Sequence, residues 1–299
     1  MQNMPTFLVI GAARSGTTAL YTYLKQHPDI FMSKNKETNF FAFENEDLDC
    51  SGPGADYINN SVTTLSDYQQ MYEGRIRETA VGEASPLYLY SKKAPGQILH
   101  HVPEARLIAI LRSPVEQAYS HYLYARRQML EPLDDFVAAL QAEQERNEKS
   151  WQPLFQYSEF PKYGEQLSRY FDLFPREQLK ILTYEEFRDD PLDVMSEIFS
   201  FIGTDKNFIP DVSYRPNAGG IPSNRFLQSA VVKPHLATRL AGYLLPEEVK
   251  RRIRDMVSDR NLEKPDIPGD AKAILLSRLQ GDIIRLQELL DRDLAAWLQ

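Results

Sequence analysis

The chain has 299 residues, 42% hydrophobic and 25% charged, ordinary globular values in a length that buries a substantial core. Its formal charge of −8 argues against a nucleic-acid binder and mildly against a protein built to grip a long polyanionic glycan. The single cysteine, Cys50, excludes an intrachain disulfide and a multi-cysteine metal site, and its acidic, cation-free surroundings make it a free thiol rather than a nucleophile.

In chain order, the apolar run at 6–10 predicts a strand and 17–26 a helix that ends at His27-Pro28, since the residue before proline leaves the α region. Residues 44–66, with Gly52-Pro53-Gly54, read as a polar loop or short insertion. A helix over 66–73 is expected to start at Ser66. A short strand at 79–84 and a helix at 91–100 precede R-L-I-A-I-L at 106–111, a buried strand by its near-continuous apolar run. Helix 114–128 has Ser113 as its cap and Pro114 at its first position. One long polar helix is expected at 132–148 and another at 160–173, then a strand at 179–183. Helix 191–203 starts after Asp190 and stops at Gly203, and 210–225 is too rich in proline, glycine and asparagine for regular structure.

The alternation of strands and helices predicts an α/β fold, a P-loop-like central parallel sheet with helices on both faces, as one domain over 1–299. No apolar run approaches the roughly 20 residues that span a bilayer, so a soluble, cytoplasmic protein without a membrane span is expected. The segment 270–298 places Leu276, Leu279, Ile283, Leu286, Leu290, Leu294 and Trp297 on one stripe. Packing on its own domain is the commoner use of such a stripe. A short coiled coil in a homodimer is the alternative.

Residues 7–20, F-L-V-I-G-A-A-R-S-G-T-T-A-L, run from a strand through a glycine-bounded loop into a helix. Such a loop aims unpaired N–H groups at one point with the positive end of the helix behind them, and so holds a phosphate. Gly11 and Gly16 have the spacing of a nucleotide P-loop, but Thr17 stands where that loop has lysine, and Thr18 follows. Arg14 is the loop's cation. The pattern fits a phosphate ester better than ATP hydrolysis. In L-I-A-I-L-R-S-P-V-E-Q-A-Y-S-H-Y, Arg112 falls at the carboxyl end of a parallel strand, where open sheets bind ligands, with Ser120 in the next helix. A guanidinium and a hydroxyl converging on one anion suit a phosphate monoester.

G-A-A-R-S-G-T-T resembles the 5′-phosphosulfate loop of sulfotransferases that use 3′-phosphoadenosine 5′-phosphosulfate (PAPS), and K-E-T-N-F-F at 36–41 is similar to their heparan-type branch. The resemblance extends through the Arg112 motif to the tail D-R-D-L-A-A-W-L. It implies that Arg14 and the amides of Ser15, Gly16, Thr17 and Thr18 hold the 5′-phosphosulfate, and that Arg112 and Ser120 hold the 3′-phosphate. Tyr184 would lie near the adenine, and Gly219, Gly220 and Arg225 would belong to a lid over the nucleotide. Sulfuryl transfer from PAPS would leave adenosine 3′,5′-bisphosphate and requires no metal. Glu37 matches the branch's general base, and Glu83 in V-G-E-A-S-P is its rival.

Two departures stand out. Arg14 replaces a common lysine and keeps the cation while being a poorer proton donor. Ala84 replaces the lysine of the branch's E-K-[ST]-P pattern, which puts a glycan acceptor in doubt. His121 directly follows Ser120 and is expected to face elsewhere. His27 is explained by a helix end, and His100, His101 and His235 lack catalytic context. The acceptor is expected to offer a hydroxyl or amine on a small molecule, a glycan or a carrier-bound group, with Phe40, Phe41, Tyr88 and Tyr90 flanking the site. A P-loop kinase or nucleotidase and a non-catalytic nucleotide-binding module are the competing functions.

Overall fold

A computed structural model describes residues 3–213, 221–222, 262–263 and 265–299. The strands β1 (Phe7–Gly11), β2 (Ile30–Met32), β3 (Ala80–Ala84), β4 (Arg106–Leu111) and β5 (Leu179–Thr183) form one sheet in the order β2-β3-β1-β4-β5. Every pairing is parallel. Side-chain alternation splits the core in two. Leu8, Ile10, Leu107 and Ala109 meet Ile98, Val115 and Leu167 on one face. Phe7, Val9, Ile108 and Ile110 meet Leu20, Leu24, Val194 and Ile198 on the other. The α/β class with helices on both faces is therefore observed. Because the strands are parallel, all their carboxyl ends open on one edge, and the loops there gather the site. Among the described residues no helix is long and apolar enough to cross a membrane.

Several elements differ from the sequence reading. Strand β2 has three residues, too few to show a period, and was not expected. The helix expected from Ser66 is Leu65–Gln70, capped instead by Thr64, whose side chain accepts from the Asp67 amide. The expected long helix at 132–148 is two, Phe136–Gln141 and Glu143–Glu148, the first capped by Asp135. Burial explains the break. Glu143 turns inward to accept from the Ser158 amide and hydroxyl, while Arg146 forms a fork with Glu131 at 2.7 and 2.8 Å. The Arg146 guanidinium also lies over the rings of Trp151 and Phe155.

The terminal helix is Gly269–Leu290 and stops at Asp291, whose φ is 51°. Its buried stripe is Ala271, Leu275, Leu279, Ile283 and Leu286, so Leu275 takes the place expected of Leu276. Leu294 and Trp297 reach the same core from the turn beyond it. The stripe is packed against this chain's own core. At the crossing, Asp282 accepts from the Gly164 and Glu165 amides at 2.8 and 2.7 Å. A side chain from one helix thus caps the open N-terminus of another, Tyr163–Phe171. Asp282→Ala is expected to lower stability by about 1–2 kcal/mol, read as a lower urea midpoint with unchanged slope. An unchanged midpoint would show that this cap contributes nothing.

Candidate active site

The loop after β1 is shaped by its backbone. Gly16 has φ 92°, and a Cβ there would meet the Phe187 ring at 3.1 Å. Gly11 passes so close to Leu89 that a Cβ would sit 2.7 Å from it. The loop is fastened to its surroundings through the Ala12 amide, which donates to the Ile110 carbonyl at 2.8 Å, and through Gln117, which donates to the Ala13 carbonyl at 3.0 Å. No side chain caps the helix Thr17–Leu24 and no acid stands in its first turn, so no group on the helix would compete with an anion for its N-terminal amides.

A cavity of about 950 Å³ opens over this loop and brings together Arg14, Gly16, Thr17, Thr18, Glu37, Arg112, Ser120 and Tyr184. Arg14 lies over the Tyr124 ring at 4.5 Å, and its buried Nε has no hydrogen-bond partner. Burial first, with help from the charges of Arg112 and Arg127, pushes its guanidinium down to about 10, which leaves it charged at neutral pH. Arg112 lies over the Tyr184 ring at 4.9 Å and donates twice to Glu116, at 2.9 and 3.1 Å. Tyr184 opens a helix, Tyr184–Asp189, whose start is fixed by reciprocal bonds between Thr183 and Glu186.

Glu37 lines the same cavity, and its carboxylate is in contact with both the Lys36 ammonium and the Tyr57 hydroxyl. Arg14 and Glu37 both take left-handed backbone angles, φ 63° and 65°. For non-glycine residues that costs on the order of 1 kcal/mol each, and such strain clusters where side-chain placement matters. The Glu37 amide donates to the Ala84 carbonyl at 2.9 Å, which ties the loop to the end of β3.

Two expected site residues lie apart. Ser15 is fully buried beneath the loop, with its amide bonded to the Ala12 carbonyl at 3.3 Å, so neither group faces the cavity. Glu83 is also fully buried and does not line the cavity. Its carboxylate accepts from the hydroxyls of Thr38, Tyr68, Ser85 and Tyr88. Burial pushes the Glu83 carboxyl above the usual range, and the four hydroxyls oppose that shift. Gly219, Gly220 and Arg225 lie outside the described residues.

The aromatic expectation is corrected. Phe40, Phe41 and Tyr88 are fully buried in the core, and Tyr90 stacks on Phe160 at 4.3 Å without lining the cavity. Tyr57, Tyr119, Tyr124 and Phe160 line it instead. His121, expected to face away, also lines it, held edge-on to Tyr157 and Phe160 with Nδ1 unpartnered. Burial first, then the charge of Arg14, pushes its imidazolium down to about 3. Glu116, Ser120 and Tyr124 recur at four-residue spacing on the helix Pro114–Arg127, a signal that is readable once Ser120 is placed. Tyr57 sits in a short helix, Asp56–Asn59, inside the polar insertion and gives no such signal.

The family model described as the sulfotransferase family matches residues 5–208. Human bifunctional heparan sulfate N-deacetylase/N-sulfotransferase 3 is 29% identical over 303 residues, covering 99% of this chain and 31% of that protein. The mouse bifunctional enzyme 4 is 27% identical over 225 residues, 73% of this chain and 24% of its own length. The chain thus spans about a quarter to a third of the bifunctional relatives. Among solved structures, a sulfotransferase from Alicyclobacillus acidocaldarius matches with a TM-score of 0.77 and 29% identity over 99% of both chains.

The buried neutral imidazole of His121 carries a pH signature. Below about 6.5 the unfolded chain binds a proton that the folded chain refuses until about 3, so stability falls as pH drops through that window. His121→Phe is expected to remove about 2 kcal/mol of the loss between about pH 6.5 and 4.5, measured by urea unfolding at each pH. Parallel curves for the two proteins would refute the assignment.

Proposed function

The chain belongs to the sulfotransferase family, and from that premise we propose that it transfers a sulfuryl group from PAPS to an acceptor hydroxyl. The observation that carries the reading is the single cavity joining an anion-binding loop, a second cation paired with a hydroxyl, and a carboxylate. The unpartnered Nε of Arg14 and the uncapped helix start fit the 5′-phosphosulfate. Arg112 and Ser120 fit the 3′-phosphate, and Tyr184, which stacks on Arg112, fits the adenosine between them. Thr17 in place of the P-loop lysine fits a kinase poorly.

The bound donor would supply the sulfuryl group and a bisphosphate leaving group. Glu37 takes the proton from the acceptor hydroxyl as its oxygen bonds to sulfur. Lys36 and Tyr57 hold that carboxylate in place beforehand. Arg14 and the amides of Gly16, Thr17 and Thr18 meet the negative charge left on the 5′-phosphate as the sulfur–oxygen bond breaks. Arg112 and Ser120 contribute position, since contacts remote from the reacting atoms hold the ester in line. Glu83 supports rather than reacts. Its bond to Thr38 fixes the residue next to Glu37.

Calorimetry is expected to show that adenosine 3′,5′-bisphosphate binds better than ADP with magnesium, and the reverse order would overturn the reading. Arg112→Ala is expected to weaken the bisphosphate by about 10- to 150-fold, the worth of a charge-assisted contact. Adenosine 5′-phosphosulfate should change much less. Glu116→Gln, which frees Arg112 from its exposed partner, should tighten the bisphosphate by about twofold. Equal losses for both nucleotides in Arg112→Ala would remove that residue from the 3′-phosphate.

Glu37→Gln is expected to cut turnover by about 10²–10⁴ with bisphosphate affinity preserved. Glu83→Gln should instead lower stability by about 1–3 kcal/mol, because its amide sets donors against hydroxyl donors. A folded Glu37→Gln enzyme with normal turnover, beside a folded but inactive Glu83→Gln, would transfer the base role to Glu83.

A further inference from the structure

Resting on the transferase reading above, we propose that the acceptor is an uncharged, largely apolar alcohol or phenol. Among the cavity's lining residues that the nucleotide reading leaves unassigned are Leu87, Leu123, Leu130, Leu154, Phe160 and Ile267. Their charged company is acidic. Asp56, Asp266 and the Arg112 partner Glu116 line the cavity in addition to Glu37, while Arg14 and Arg112 are the cations lining it among the described residues. Both of those are occupied by the nucleotide in the proposed reaction. A glycan bearing carboxylates or sulfates would therefore bring its charge against Asp56 and Asp266, which have no ion-pair partner among the described residues, and against Glu37, whose ion-pair partner is Lys36, an arrangement that costs binding energy. An alkyl or aryl group instead removes apolar surface from water on both sides.

The wall is built in advance of any ligand. Gln152 donates to the Pro53 carbonyl at 2.7 Å, and the Ser51 hydroxyl to the Lys149 carbonyl at 2.6 Å. The Gln152 amide donates in turn to the Ser51 carbonyl at 3.1 Å. These bonds press Gly54 against Leu130, where an added Cβ would lie 3.0 Å from its methyl groups. The same docked loop carries Tyr57 to Glu37, so the apolar wall leads directly to the carboxylate. The polar groups on this wall other than the acids are neutral. Gln128 and Gln152 are amides, and His121 is an uncharged imidazole whose buried Nδ1 has no partner.

The test compares acceptors in labelled-sulfate transfer from PAPS: 2-naphthol, 1-decanol, decylamine and an N-acetylheparosan hexasaccharide. Calorimetry follows the same compounds on the complex with adenosine 3′,5′-bisphosphate. Naphthol or decanol is expected to exceed the hexasaccharide in kcat/KM by at least about tenfold. Leu154→Arg, with Leu130→Lys as a second variant, is expected to raise KM for the favoured probe by about tenfold while bisphosphate affinity stays unchanged. Preference for the hexasaccharide or the amine overturns the acceptor class and leaves the transferase reading standing. So does a bisphosphate complex that binds neither naphthol nor decanol, beside enzyme that with PAPS sulfates neither. Absence of bisphosphate binding instead refutes the transferase reading itself.

Discussion

A carboxylate taken wholly out of water must find an opposite charge or several hydrogen bonds, and Glu83 has the second. Four hydroxyls, from Thr38, Tyr68, Ser85 and Tyr88, converge on it from three segments of chain. Tyr72 extends the cluster by donating to the Tyr68 hydroxyl at 2.8 Å. The consequence is positional. Thr38 is bonded to Glu83, the Asn39 amide donates to Ser85 at 3.1 Å, and the Glu37 amide donates to the carbonyl of Ala84. Residues 37–39 are therefore held by the end of β3, and Glu37 keeps its left-handed backbone because its own amide and the residues after it are fixed.

The two arginines of the cavity are managed differently from that carboxylate. Each is stacked on a tyrosine, Arg14 on Tyr124 and Arg112 on Tyr184. A ring face orients a guanidinium while leaving its N–H donors for a ligand. Arg112 uses two of its donors on Glu116, an exposed partner that gives little net stability. The Nε of Arg14 has no such partner and lies deeper, where the missing contact is costlier. The loop end of the cavity therefore has the greater electrostatic need for an anion.

Much of this architecture is legible in the amino-acid sequence. Four of the five strands and the helices after β1 and β4 follow from apolar runs, proline and caps, because each is a local signal. The loop residues Arg14, Gly16, Thr17 and Thr18 and the pair Arg112 and Ser120 fall in one cavity because strand order sets which loops are neighbours. What the sequence hides is tertiary. The split of the 132–148 helix depends on the burial of Glu143 and Arg146, whose charges read as solvent-facing. Ser15 lies under its loop rather than over it, and no spacing rule distinguishes the two. His121 follows from helix geometry only when the neighbouring walls are known, since its edge-on partners Tyr157 and Phe160 come from a later segment.

The aromatic residues show how neighbours in sequence can part in space. Phe40, Phe41 and Tyr88 adjoin the proposed base or its rival in sequence, yet their rings close the core beneath the site, with Phe40 stacked on Tyr68 at 4.3 Å. Residues next to a strand end have two directions available, into the core or into the cleft. The Glu83 cluster decides between them here by drawing the Tyr88 hydroxyl inward. The cavity's apolar lining comes from Leu87, Ile267 and segments 54–58, 119–130 and 152–160, which have no common motif, and the insertion docks on residues 149–152. The residues proposed to hold the phosphates lie at and just after the ends of β1 and β4, which the sheet places. Leu130, Leu154 and Phe160 lie further from the strand ends, beside the insertion docked on residues 149–152, so the sheet fixes that side of the cavity less directly than the loop side.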